Sequence, residues 1–223
     1  MSRYEPSIET GKTAPRFLTR EGLSQGLEWL SRRDRDLAGI VERLGAPPLW
    51  ARRPGFATLL HIILEQQVSL ASAEAAFRRL CATCKPLTPR VFLKLDDAAL
   101  GSAGFSRQKT AYGQNLAHAL VTGRLDLPGL KTMDDESVRV QLTQVKGVGR
   151  WSAEIYLLMA LRRPDIWPLG DLALAKAAQR VKGLRAVPGP VDLDKLGASW
   201  RPWRSVAARL LWHHYLRDAK QPR

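Results

Sequence analysis

The chain has few cysteines and no long hydrophobic run. Only Cys81 and Cys84 are cysteines among its 223 residues, so one chain cannot supply a four-thiolate zinc or iron–sulfur site or a framework of several disulfides. No apolar stretch approaches the roughly 20 residues that span a bilayer, and residues 1–13 lack the apolar segment of a secretion signal. We therefore expect a cytoplasmic protein with no membrane partner and no metal site.

Acidic residues are also scarce relative to basic ones. The 35 Lys and Arg residues outnumber the 21 Asp and Glu residues and leave a formal net charge of +14. The basic residues recur in pairs along the whole chain rather than in one tail. A solvated helix face explains any single pair, but the sum favours a polyanionic partner.

Alternation typical of β-strands is nearly absent, and apolar residues recur at spacings of three and four. The sequence therefore predicts an all-α protein, with two helical lobes around a cleft. We expect a polar, loosely held segment over residues 1–19 and a folded core over residues 20–223. Helices are predicted over residues 25–44, 55–80, 88–95, 97–103, 106–122, 134–145, 150–163, 172–181 and 204–219.

Residues 134–163 have the pattern of a helix–hairpin–helix. An apolar-periodic helix follows Asp134, a turn with Gly147 and Gly149 interrupts it, and a second helix begins near Arg150. Two glycines permit a tight turn and leave backbone N–H groups unobstructed at a helix N-terminus, where phosphate binds readily. Lys146 and Arg150 flank this turn and suit the same anion. An ordinary helical hairpin with incidental basic residues is the alternative.

Asp171 occupies a helix N-cap position after the segment W-P-L-G. Aspartate is a favoured N-cap in any protein, where it contributes about 1 kcal/mol. The same position, near backbone donors and the positive end of a helix, also suits a carboxylate that stabilises a developing cation or orients a water molecule. The residues alone leave both interpretations open.

Four segments in order carry a resemblance to a known family. They are V-K-G-V-G-R-W-S-A-E with W-P-L-G-D inside residues 142–174, I-L-E-Q-Q-V-S at 63–69, G-F-S-R-Q-K at 104–109 and W-R-P-W-R-S at 200–205. Together they resemble the helix–hairpin–helix (HhH-GPD) DNA glycosylase superfamily, in its 3-methyladenine DNA glycosylase II branch. The resemblance covers residues 36–216. The β-rich N-terminal domain of the longer family members appears in no segment of this sequence.

The resemblance implies an enzyme that bends duplex DNA, flips a damaged nucleotide into a cleft and cuts its N-glycosidic bond. Asp171 matches the catalytic aspartate, and Trp151, Trp212 and Ile155 match positions of the base pocket. Gln67 matches the side chain that fills the gap left by the flipped base. The implied DNA contacts are Gln66, Gln67, Val68, Ser69, Ser106, Lys109, Lys146, Gly147, Val148, Gly149, Arg150 and Arg204, with a monovalent cation at the carbonyls of Val145 and Val148.

Trp151 occupies the position at which strand-cleaving relatives have a lysine nucleophile, so we expect a monofunctional hydrolase that uses water. An alkylated purine already carries positive charge and leaves without a general acid, so one carboxylate suffices. The resemblance thus implies removal of 3-methyladenine and 7-methylguanine by a monomer without cofactor, near the bacterial nucleoid, and an AP endonuclease that processes the abasic product. A glycosylase for deaminated or oxidised bases and a non-catalytic DNA-binding protein are the alternatives.

Overall fold

Helices and short connections make up the part of the chain that the structure, a computed structural model, describes: residues 15–218. The α-helices there are α1 (Arg20–Arg33), α2 (Arg35–Leu44), α3 (Phe56–Glu65), α4 (Leu70–Thr83), α5 (Pro89–Phe92), α6 (Asp97–Ser102), α7 (Arg107–Val121), α8 (Asp135–Thr143), α9 (Arg150–Ile155), α10 (Leu172–Val181), α11 (Pro190–Ala198) and α12 (Arg204–Asp218). A 3₁₀ turn covers Gly129–Lys131, and a π turn over Tyr156–Ala160 continues α9. The predicted all-α fold is confirmed.

The helices pack as two groups. In one, α3 lies against α4, α7 and α9, while α5 and α6 cover α7. In the other, α12 packs against α10, α2 and α1. The chain enters the first group after α2 and returns to the second at α10, so the segment between α9 and α10 crosses from one lobe to the other.

A buried arginine fastens the two lobes together. Arg209 on α12 is fully buried, and its guanidinium donates to the carbonyls of Leu49, Leu158 and Ser205 at 2.8, 2.8 and 3.0 Å. A buried guanidinium is stable only when its donors find acceptors. Because Leu158 lies in the π turn and Leu49 precedes α3, these bonds join α12 to the π turn and to the segment before α3.

Two predicted helices are each two helices in the structure. The predicted helix over residues 25–44 breaks at Asp34, whose extended backbone (φ −138°) ends α1 and whose carboxylate caps α2. The predicted helix over residues 55–80 breaks at residues 66–69, where Ser69 caps α4. Helix α11, which begins with Pro190, was not predicted.

The N-terminal prediction is described only in part, since residues 1–14 lie outside the described range. Leu18 is fully buried and donates its N–H to the carbonyl of Arg162 at 2.6 Å. Arg16 donates to the carbonyl of Thr132 at 3.0 Å, so residues 16–18 are bound to the core. Within residues 15–218, every helix is too short or too polar to cross a membrane.

Candidate nucleic-acid interface and active site

The hairpin, residues 144–149, joins α8 to α9. Gly147 has φ +103°, a conformation that side-chain-bearing residues rarely adopt, and a Cβ at that place would lie 2.5 Å from Cβ of Tyr112. The turn closes through the N–H of Val148 and the carbonyl of Val145 at 2.9 Å. Gly147 is therefore required by the backbone conformation and by the close approach of α7.

Gly149 has a different role from Gly147. Its φ is an ordinary −83°, and a Cβ there would meet no atom within 4 Å. Gly149 is the N-cap of α9, and the first helical bond runs from the N–H of Ala153 to the carbonyl of Gly149 at 3.0 Å. The backbone N–H groups at the start of α9 come before that bond and so have no acceptor within the helix, and Gly149 has no side chain to cap them. They lie on an exposed surface beside the exposed side chains of Lys146 and Arg150.

The wedge, residues 66–69, lies next to the hairpin. Gln67 is exposed and adopts a left-handed backbone conformation (φ +57°), and Val68 is 45% exposed. Gln66 points the other way: its amide Nε2 donates to the carbonyl of Gly147 and to Oγ of Ser152, each at 2.9 Å. The geometry therefore leaves Gln67 free at the surface and uses Gln66 to join the wedge to the hairpin.

Two of the predicted DNA contacts near the wedge make hydrogen bonds within the protein. Lys109 donates from Nζ to the carbonyl of Leu64 at 2.6 Å, and burial lowers the pKa of this lysine. Ser106 caps α7 by accepting the N–H of Lys109 at 3.2 Å. Both residues thus support the end of α3 and the start of α7. Their contact with phosphate stays a prediction.

Asp171 caps α10, as its sequence position predicts, and accepts three hydrogen bonds. Oδ1 accepts the N–H of Leu174 at 2.7 Å and Nε1 of Trp212 at 3.2 Å, while Oδ2 accepts Nε1 of Trp151 at 3.0 Å. Because Trp151 lies on α9 and Trp212 on α12, the carboxylate stands where the two lobes meet. Three donors directed at one carboxylate fix its orientation.

The predicted pocket residues line this region to different extents. Trp151 is half-buried, Trp212 is 7% exposed and Ile155 is 2% exposed. The two indoles therefore pack against the core and also flank the candidate catalytic carboxylate. Ile155 is packed into the core below Trp151, and its contact with a base stays a prediction.

The loop that leads to Asp171 is held by buried or paired groups. The guanidinium of Arg204 donates from Nε and Nη2 to the carboxylate of Asp165 at 2.9 and 2.8 Å, and its side chain is 12% exposed. Ser205 accepts the N–H of Ile166 at 2.9 Å, and Trp167 donates to the carbonyl of Leu193 at 2.9 Å. In this structure Arg204 is thus a partner of Asp165 and anchors the loop, rather than presenting a free cation to DNA.

Three features of the site were not predicted from the sequence. They are the bond from Gln66 to the hairpin, the packing of Tyr112 under Gly147, and the buried carboxylate of Glu154, which accepts the N–H of Leu169 at 3.1 Å. Each joins residues that are far apart in the chain, so no local pattern reveals it. The sequence offered one signal, because Glu154 follows Arg150 by four residues, a spacing that favours an ion pair within α9.

The fold and the site define a helix–hairpin–helix protein with an exposed, basic hairpin and a carboxylate at the junction of two helical lobes. A family model described as HhH-GPD superfamily base excision DNA repair protein matches residues 60–202. The chain belongs to this superfamily. At the level of enzyme class, the family and the names of its relatives confirm the prediction of a DNA glycosylase of base excision repair.

The relatives extend over most of the chain. The alkylbase DNA glycosidase-like protein mag2 of Schizosaccharomyces pombe is 28% identical over 191 residues, which are 82% of this chain and 89% of the relative. DNA-3-methyladenine glycosylase 2 of Escherichia coli is 30% identical over 193 residues, 78% of this chain and 64% of that protein. The solved structure of S. pombe 3-methyladenine DNA glycosylase (Mag1) in complex with abasic DNA superposes with a TM-score of 0.78 at 25% identity, covering 84% of this chain and 95% of the other.

Proposed function

We propose that the protein is a monofunctional DNA glycosylase that flips alkylated purines, such as 3-methyladenine and 7-methylguanine, out of duplex DNA and hydrolyses their N-glycosidic bond. The observation that carries the proposal is the placement of the Asp171 carboxylate between the indoles of Trp151 and Trp212. The relatives named as 3-methyladenine glycosylases support the substrate class.

The chemistry needs one anionic group. An N3- or N7-alkylated purine carries positive charge, so its departure as a neutral base requires no proton donor. The sugar then develops oxocarbenium character at C1′, and a fixed carboxylate such as Asp171 stabilises this charge or directs water to it. Trp151, at the position of the lysine in strand-cleaving relatives, has no amine for a Schiff base, so water is the nucleophile.

The two indoles also suit the selection of substrate. An electron-poor, cationic base stacks favourably on an indole, at about 0.5 to 2 kcal/mol per contact depending on desolvation. A normal base lacks that charge and has a stronger glycosidic bond. Unstacking and unpairing cost a few kcal/mol, least for a damaged or mispaired base. The positive charge of the base thus contributes to selectivity twice: it strengthens stacking on the indoles, and it weakens the glycosidic bond that is cut.

The hairpin and the wedge together form the surface proposed to bind the DNA backbone beside the flipped nucleotide. The amides at the start of α9, with Lys146 and Arg150, suit one phosphate, and Gln67 is placed to enter the stack. The product is an abasic site, which a separate endonuclease must process. A single chain carries all of these groups, so a monomer suffices.

The test is base release from duplex DNA treated with a methylating agent, resolved by chromatography under single-turnover conditions. Asp171→Asn keeps an N-cap for α10 but removes the charge, and we expect it to abolish release while duplex affinity is retained. Asp96→Asn is the matched control, because Asp96 caps the exposed helix α6 by accepting the N–H of Ala99 at 2.7 Å.

Release of methylated purines by the wild type and by Asp96→Asn, but not by Asp171→Asn, is the expected result. Equal release by all three proteins would refute the catalytic assignment. Duplex binding without release of any methylated base would refute the substrate class, and duplexes with uracil, hypoxanthine or oxidised purines would then separate another glycosylase from a non-catalytic binder.

A further inference from the structure

Glu154 is a buried carboxylate for which the proposed mechanism has no use. It lies on α9 one turn after Arg150, and its side chain is 2% exposed. An ionised carboxylate in such a place is costly unless cations and hydrogen bonds compensate it. Burial raises the pKa of Glu154, and the guanidinium groups of Arg139 and Arg150 oppose that shift. The contacts of such a costly group are the clearest indication of its role.

The contacts of Glu154 face two directions. Oε2 accepts the N–H of Leu169 at 3.1 Å, two residues before Asp171. Oε1 lies 3.3 Å from Nε of Arg150 and 3.5 Å from Nε of Arg139. Arg150 is 61% exposed in its side chain and follows the hairpin directly. One carboxylate therefore connects the surface that faces DNA with the loop that carries the catalytic aspartate.

A short turn at Gly170 joins Leu169 to Asp171. Gly170 has φ +86°, and the N–H of Asp171 bonds to the carbonyl of Pro168 at 3.3 Å. A shift of the Leu169 amide therefore moves the backbone of Asp171, and with it the distances from its carboxylate to the two indoles.

We propose that Glu154 is a positioning residue that fixes the catalytic carboxylate of Asp171 through the Leu169 amide and couples it to Arg150 beside the hairpin. Only a carboxylate can do this, because one oxygen accepts the Leu169 N–H while the negative charge pairs with the guanidinium of Arg150. A glutamine accepts on one side and directs an NH₂ group at donors on the other. The kinetic part of this inference rests on the proposed function, whereas the structural part does not.

The main test compares Glu154→Gln with Glu136→Gln. Glu136 also pairs with Arg139, at 3.0 Å, but is 67% exposed and makes no bond to the loop. A displacement of about 1 Å in a reacting group costs up to about 100-fold in rate, so we expect Glu154→Gln to slow single-turnover base release by about 10- to 100-fold at saturating protein, where duplex affinity does not enter the rate. Glu136→Gln should match the wild type in both rate and affinity.

A spectroscopic readout separates positioning from a loss of folding. The indole N–H resonances of Trp151 and Trp212 report on their bonds to Asp171, and Trp-to-Phe variants assign them. Trp29 on α1, whose ring packs against the guanidinium of Arg33 at 4.1 Å, serves as the internal reference. In Glu154→Gln the resonances of Trp151 and Trp212 should move while that of Trp29 stays in place.

If Glu154→Gln does not fold, Glu154→Asp replaces it, because it keeps the charge but is one methylene too short to reach both sides. An unmoved pair of resonances together with a wild-type rate in a folded variant would overturn the proposal. Should the wild type release no base, the proposed function fails, and the resonances still decide whether Glu154 positions Asp171.

Discussion

Gly147 and Gly149 are separated by one residue in the hairpin but should respond to alanine in opposite ways. At Gly147 an alanine would adopt an unfavourable φ of +103° and its Cβ would overlap Tyr112. The backbone strain is worth about 1–3 kcal/mol and the overlap about another 1–3 kcal/mol. For a chain of this length, 1 kcal/mol lowers the melting temperature by about 2–4 °C. Gly147→Ala should therefore melt roughly 5–20 °C below the wild type.

At Gly149 the same substitution meets no atom of the protein. Alanine is a poorer N-cap than glycine, which costs at most about 1 kcal/mol. In the proposed complex its methyl group would stand between the start of α9 and a phosphate, and loss of a hydrogen bond to a charged group costs about 1.5–3 kcal/mol. Gly149→Ala should thus fold almost normally and bind duplex DNA about 10- to 100-fold more weakly.

Thermal melting and fluorescence anisotropy with a labelled duplex, at one fixed salt concentration, measure the two effects separately. Gly149→Ala with wild-type affinity would refute the placement of a phosphate at the start of α9. Gly149→Ala with a melting temperature as low as that of Gly147→Ala would refute the stereochemical distinction between the two glycines.

Three further predictions follow from contacts elsewhere in the site and the fold. Gln66→Leu loses two hydrogen bonds worth about 1–3 kcal/mol in all, so both the melting temperature and the extent of base flipping, followed by 2-aminopurine fluorescence, should fall. Gln67 is exposed, so Gln67→Ala should reduce base flipping alone. Equal melting temperatures of Gln66→Leu and the wild type would contradict the link between the wedge and the hairpin. Burial would raise the pKa of Asp34, but hydrogen bonds from Lys182 and Trp200 outweigh it and lower this pKa. The stability lost in Asp34→Asn, about 2–4 kcal/mol in urea unfolding, should therefore be full above about pH 5 and shrink as the pH falls from about 4 through the lowered pKa of the folded state. A gap that grows in acid would contradict the sign. The logarithm of duplex affinity should fall with the logarithm of salt concentration at a slope of about −2 or steeper if at least two basic side chains contact phosphates, and a flat titration would remove them from the interface.

The helices were predictable where local signals sufficed. The start of α10 at Asp171 and the start of α7 at Ser106 follow from N-cap chemistry, and both match the structure. The breaks at Asp34 and at residues 66–69 did not follow, because apolar periodicity continues across each of them. At Asp34 the carboxylate caps α2 and also binds Lys182, which lies 148 residues away, so its full set of partners exists only in the fold.

The site was predictable as a set of residues but not as a geometry. Motif order placed Asp171, Trp151 and Trp212 in one region of the fold. That both indoles donate to the carboxylate depends on the crossing of α9 and α12, which no spacing encodes. For Arg204 the motif predicts a DNA contact, which stays a prediction, whereas its pairing with Asp165 was visible only in the structure.

Because Gln67 has a left-handed backbone, thermal stability and the proposed function favour different residues at this position. A side chain in that conformation costs about 1–2 kcal/mol, more than the roughly 0.5–1 kcal/mol of chain entropy that a glycine would lose there. A library screened only for survival of heating should therefore enrich glycine at position 67. A library screened for survival of alkylation should restore the long side chain, and the two outcomes together would measure how much stability the protein gives up in order to search DNA.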